Sequence, residues 1–179
     1  GDIFDQIVNN TTLTINGLTP NTTYYCYLQS NCGTTEWIEA SFTTPCEPLS
    51  IPYFEGFESG YTHNTVVGGC ISQESVAGDQ SWMANTSFTD RNRTPRTGSW
   101  NAFLQWSNTD WMFIPVALDA GQSYDFSMYA RQDVTSGCNM LVSYGSAPNA
   151  AAMTNPIVAQ TNITSGNYQE LSGSFTPAT

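Results

Sequence analysis

The chain has 179 residues, enough for one large domain or two small ones and for a buried core that does not depend on disulfides. Fifteen acidic residues stand against four basic ones, none of them lysine, and the formal net charge of −11 argues against nucleic acid and anionic membrane as partners. The longest apolar run, Trp111 to Leu118, is too short to span a bilayer and suits one buried strand, which argues against membrane insertion.

The N-terminal elements are short and alternating: 12–17 (TLTING), 24–30 (YYCYLQS) and 38–44 (IEASFTT). In the second, Tyr24, Cys26 and Leu28 share the more apolar face, opposite Tyr25, Tyr27 and Gln29. Residues 45–52 (PCEPLSIP) hold three prolines, which fit neither a central strand nor a helix interior, and predict a linker with a domain boundary near Pro48. Further strand-like runs follow at 101–107, 110–116, 123–131, 139–145, 157–163 and 168–175, separated by turn residues such as Asp119 to Gly121 and Pro148 with Asn149. No segment shows a helical apolar period and no period repeats, so the fold class is all-β, built of antiparallel sandwiches.

Catalytic chemistry finds little footing. His63 is the only imidazole, so a nucleophile–base pair would have to be Cys70 with His63, against the plainer reading of a loop histidine. Glu55 and Glu58 are the one close carboxylate pair with aromatic neighbours, but three residues apart on a strand they face opposite sides and would not flank one glycosidic bond. There is no Cys-x-x-Cys to suggest zinc. Arg91, Arg93 and Arg96 fall in one hexapeptide, RNRTPR, read as a solvated loop that offsets nearby acids or, failing that, as an anion-binding loop. Among aromatics able to stack on sugar rings, alternation groups Trp106 with Ala102 and Leu104 and predicts core for it. Trp82, between GDQS and MANTS, is the expected exposed aromatic, and Trp82 and Trp100 are the ligand-binding candidates.

The L-x-P-x-T-x-Y pattern of Leu18, Pro20, Thr22 and Tyr24, continued by WIEASFTTP (Trp37 to Pro45), resembles the C-terminal half of a fibronectin type III domain. The resemblance implies a structural Tyr24 whose hydroxyl bonds back to the chain just upstream, and Cys26 as a buried thiol. Bacterial members with SNCG…FTTPC imply a Cys32–Cys46 disulfide with Cys26 left free; Cys70 and Cys138 are the remaining candidate pair.

After the prolines, P-x-x-E-x-F-E-S-G (Pro52 to Gly60), D-W-x-x-x-P (Asp110 to Pro115), Phe126 to Arg131 and YG-x-x-P (Tyr144 to Pro148) resemble the cleaved-adhesin or hemagglutinin modules of secreted Bacteroidetes proteins, the gingipain type, which are jelly rolls related to MAM domains. The resemblances together predict a C-terminal part of a fibronectin type III-like domain over 1–46, a linker over 47–51 and a jelly-roll β-sandwich over 52–179, both domains lacking strands their families possess. They imply calcium held by Glu58 and Asp110 with Asn101, and an extracellular or cell-surface setting reached by type IX secretion. The expected function is that of a non-catalytic adhesion segment of a longer chain that binds a glycan or an extracellular protein and adjoins flanking domains. The alternatives are an accessory module of a secreted peptidase or glycoside hydrolase, or a passive spacer.

Overall fold

The computed structural model describes residues 12–30, 36–86, 91–133 and 137–178. The chain is an all-β structure of two compact units, Gly1–Glu47 and Pro48–Thr179.

In the first unit, strand β1 (Thr23–Leu28) pairs antiparallel with β2 (Ile38–Thr43), placing Tyr24 opposite Phe42 and Cys26 opposite Ala40. Residues 12–17 form no strand. Instead Leu13, Ile15 and Leu18 lie along the apolar side of the ladder beside Cys26, Leu28 and Ile38. The Tyr24 hydroxyl accepts a 2.8 Å hydrogen bond from the Thr19 amide, and its ring stacks on Phe42. Thr44 closes the same corner by donating to the Thr19 carbonyl at 2.6 Å. Cys26 is a half-buried free thiol.

The second unit begins inside the proline-rich stretch, where Leu49 bridges Val116 in parallel. Its strands are β3 (Thr65–Val66), β4 (Ser72–Ala77), β5 (Met83–Asn85), β6 (Asn101–Phe103), β7 (Thr109–Phe113), β8 (Tyr124–Ala130), β9 (Cys138–Tyr144), β10 (Asn155–Ile163) and β11 (Gln169–Phe175). They form antiparallel ladders β3-β5-β6, β4-β7, β9-β10 and β8-β11. Alternation is clearest along β8 and β11, which turn Tyr124, Phe126, Met128 and Leu171 toward the interior and leave the intervening residues exposed. One cluster gathers Ala130, Val158, Ile163 and Leu171, with Phe126, Met128, Met140 and Val142 packed against it, so β8-β11 lies face to face on β9-β10. A second gathers Val67, Ile71 and Ala84 beneath Trp82, Trp100, Ala102 and Met112.

The RNRTPR stretch is held by specific contacts rather than standing free in solvent. Arg93 lies over the Phe103 ring at 3.7 Å and Arg96 over the Tyr129 ring at 3.5 Å. The Thr94 carbonyl accepts from Arg131 and from the Tyr168 hydroxyl, and Asn92 donates to the carbonyls of Gln132 and Gly166. Arg131 in turn stacks on Tyr168 at 4.3 Å. The stretch is a strap from Phe103 of β6 to the ends of β8 and β11, fastened by guanidinium–ring contacts.

Two local features were not foreseen. A second tyrosine corner occurs at Tyr124, whose hydroxyl accepts from the Asp119 amide at 2.9 Å, five residues upstream as in the first. Phe175 packs against the rings of both Tyr124 and Tyr144. At Gly173 the two sheets approach so closely that a β-carbon would stand 2.4 Å from the Ile157 carbonyl oxygen.

Cys46 and Cys70 are disulfide-bonded. The Cys70–Cys138 bridge is therefore corrected: Cys138 is an exposed free thiol at the start of β9, opposite Ile163, while Cys70 is engaged elsewhere. Cys32, and with it the expected Cys32–Cys46 pairing, lies outside the described residues.

Candidate ligand-binding site

The outer face of β8 and β11 carries a shallow polar concavity. Alternation along YDFSMYA turns Tyr124, Phe126 and Met128 inward and exposes Asp125, Ser127 and Tyr129. Along QELSGSF it exposes Glu170, Ser172 and Ser174. Register then places Ser174 opposite Asp125, Ser172 opposite Ser127 and Glu170 opposite Tyr129. The result is a shallow groove of about 330 Å³, walled by two carboxylates and three hydroxyls and floored by Phe126 and Gly173. Ser174 donates to Asp125 Oδ1 at 2.6 Å, which fixes one wall. Beyond it stands Tyr129, its ring covered on one side by Arg96. Such a face offers both donors and acceptors of the kind sugar hydroxyls can use.

The residues expected to bind ligand or metal have other employment. Trp82 and Trp100 are half-buried against the Val67 cluster rather than displayed. Trp82 is held doubly: its indole N–H donates to the Asp110 carbonyl at 3.1 Å and its amide to Gln73 Oε1 at 2.7 Å. Trp106, expected in the core, is 89 % exposed. The correction has a plain cause. Strand β6 ends at Phe103, so the alternation that groups Trp106 with Ala102 stops before reaching it, and Trp106 sits on the turn toward β7.

Of the expected calcium ligands, Glu58 accepts from the Ser99 amide through both oxygens at 3.0 Å and from the Trp100 amide at 3.1 Å. Asn101 donates to the Arg93 carbonyl at 2.6 Å and accepts from Asn85. Only Asp110 keeps both carboxylate oxygens buried without a hydrogen-bond partner. Burial pushes its pKa up, Ser81 nearby opposes the shift, and the charge of Glu74 adds to it. The hydrogen bonds thus use Glu58 and Asn101 to hold the chain and do not tie the three into one oxygen cage. Among the described residues no group of three or more His, Cys, Asp or Glu could hold a metal.

Glu55 is equally committed. It accepts from the Tyr53 hydroxyl at 2.8 Å, the Phe57 amide at 2.5 Å and the Tyr61 hydroxyl at 3.3 Å. Burial, reinforced by the Glu55 charge, pushes the Tyr61 pKa up to about 12. Glu55 and Glu58 are therefore structural acceptors, each anchoring its own segment. His63 binds the Thr86 amide through Nδ1 at 3.1 Å, and Cys70 is disulfide-bonded, so the two make no nucleophile–base pair.

No helix among the described residues is long and apolar enough to cross a membrane. Comparison with curated proteins and with solved structures finds no match. The comparison with protein families does: the model of the carbohydrate binding domain family matches residues 51–179, which is the greater part of the chain and includes both walls of the groove, and the chain belongs to that family.

Proposed function

We propose that the second unit is a non-catalytic module that binds a neutral glycan along the outer face of β8 and β11. The observation that carries this reading is the groove itself, with Asp125, Ser127, Glu170, Ser172 and Ser174 converging on one shallow surface. The neutral class follows from charge. A uronate or sulfate would meet Asp125 and Glu170, and three of the four arginines already lie on aromatic rings.

The wider setting is part of the same proposal: a fibronectin-like first unit ahead of the glycan-binding unit, in an extracellular or cell-surface adhesion protein. The tyrosine corner at Tyr24 and the disulfide-bonded Cys46 and Cys70 support it, the latter because such bonds persist in oxidising compartments.

Electrophoresis through gels containing soluble β-glucan, xylan or galactomannan tests the groove. The chain should be retarded in at least one of these and not by polygalacturonate. Ser172→Tyr, which fills the groove from an exposed position, should weaken that retardation about tenfold, equivalent to roughly 1.4 kcal/mol. Retardation by polygalacturonate alone, or undiminished retardation of S172Y, would remove the groove from the account.

The partnerless carboxylate of Asp110 favours a second reading, in which a calcium ion supplies the missing partner and stabilises the unit by mass action. EDTA should then lower the melting temperature, and Asp110→Asn should abolish that response. A melting curve indifferent to EDTA would leave Asp110 as a desolvated charge without an ion, and D110N should in that event raise the melting temperature.

A further inference from the structure

We propose that Trp106, on the turn between β6 and β7, is a second sugar contact of this unit, separate from the groove: a platform on which the apolar face of a neutral pyranose ring stacks. The inference deepens the proposed function and rests on its reading that the unit binds a neutral glycan.

Trp106 is the most exposed of the large hydrophobic side chains among the described residues, at 89 %. The other tryptophans of the unit, Trp82, Trp100 and Trp111, are half-buried. An exposed tryptophan on a loose loop would gain little from stacking, because ordering the loop would offset the contact. This loop is already ordered. The Asn108 side chain donates to the carbonyls of Trp106 at 3.0 Å and Gln105 at 3.3 Å, and its Oδ1 accepts from the amides of Asp79 and Gln80 at 2.9 Å each. One amide side chain thereby ties the Trp106 turn to the turn after β4. The opposing turn is fitted to it. At Gly78, φ is +92° and a β-carbon would lie 2.0 Å from Asn108 Oδ1, so only glycine lets the lock close.

The surroundings select the ligand. The chain neighbours of Trp106, Gln105 and Ser107, are exposed, as is Asp79 on the turn that Asn108 ties to the Trp106 turn. A protein interface of ordinary size buries about 800 Å² on each side, far more than one indole offers. Anionic lipid is repelled by a chain of net charge −11 with Asp79 at the spot. A pyranose matches the footprint of one indole, offers an apolar face to the ring, and presents hydroxyls at its rim to Gln105 and Ser107. A polymer long enough to engage both the platform and the groove would gain from the second contact as an intramolecular event.

The experiment compares the intact chain with Trp106→Ala, Trp106→Phe and Ser172→Tyr in gels containing soluble β-glucan, xylan or galactomannan. Removing so exposed a side chain should leave the melting temperature nearly unchanged, since surface substitutions away from buried contacts change stability little. W106A should lose about tenfold in affinity, and W106F should recover part of it. If W106A is retarded as strongly as the intact chain, the platform is overturned, and a weakened S172Y in the same gels would leave the groove reading standing. If W106A loses retardation while S172Y keeps it, the platform holds and the groove assignment fails. If the intact chain is retarded in none of the neutral gels, both fall.

Discussion

Replacing Ile163 by alanine should lower the unfolding free energy of the second unit by about 2–5 kcal/mol. Ile163 closes β10 opposite Cys138, is fully buried and belongs to the cluster of Ala130, Val158 and Leu171. Truncation removes three carbons from a close-packed site and leaves a cavity that backbone in two facing sheets cannot collapse to fill. Against a typical domain stability of about 5–15 kcal/mol, such a loss is a large fraction of the whole. Urea denaturation followed by fluorescence should show the midpoint falling with an unchanged slope. Leu141→Ala, on the same β9-β10 ladder but 37 % exposed, is the control and should cost distinctly less. Equal losses for the two variants would mean that β9-β10 does not pack on β8-β11 as described.

Gly173→Ala should destabilise the unit by about 1–3 kcal/mol, against the direction that backbone propensity predicts. Alanine in a strand interior ordinarily gains about 0.5–1 kcal/mol over glycine. Here the added carbon would stand 2.4 Å from the Ile157 carbonyl oxygen and 3.3 Å from its Cγ2. The nearest obstacle is backbone, so β10 and β11 must separate. Because Gly173 also floors the groove, the same variant should weaken glycan retention. Gly166→Ala supplies the contrast: a β-carbon there meets nothing closer than 3.5 Å. A Gly173→Ala protein as stable as the parent would show that the sheets have room between them.

How much of this was legible in the sequence depended on how far apart the interacting residues lie. The all-β class was readable from alternation, because period two is a property of neighbours. The Tyr24 back-bond was readable because donor and acceptor are five residues apart and the pattern of Leu18, Pro20 and Thr22 precedes it. The equivalent bond at Tyr124 lacks that Leu-Pro signature and passed unnoticed. The strands β3 and β5 are two and three residues long, too short to show any period. The calcium expectation at Glu58 rests on its local motif, whereas the amides it holds lie 41 and 42 residues away and leave no trace in that motif. Trp82 looked exposed because its sequence neighbours are polar, whereas its indole partner is 28 residues on. The groove escaped because a row of serines and carboxylates on alternate positions reads as an ordinary wet face until register sets β11 beside β8. Trp106 was the one error with a local clue: Ser107 and Asn108 are turn formers, and weighting them over alternation would have ended the strand earlier.

The strap over 91–96 has a consequence for cooperativity. Its bonds join residues 37, 40 and 74 positions apart. The entropy of closing a chain loop grows only with the logarithm of its length, so going from 37 to 74 residues adds about 0.6 kcal/mol. Once the first of these contacts has formed, the others close almost no additional loop and bring their favourable free energy nearly whole. Asn92, Thr94, Arg131 and Tyr168 should therefore engage and release together, as one latch and not as four separate bonds.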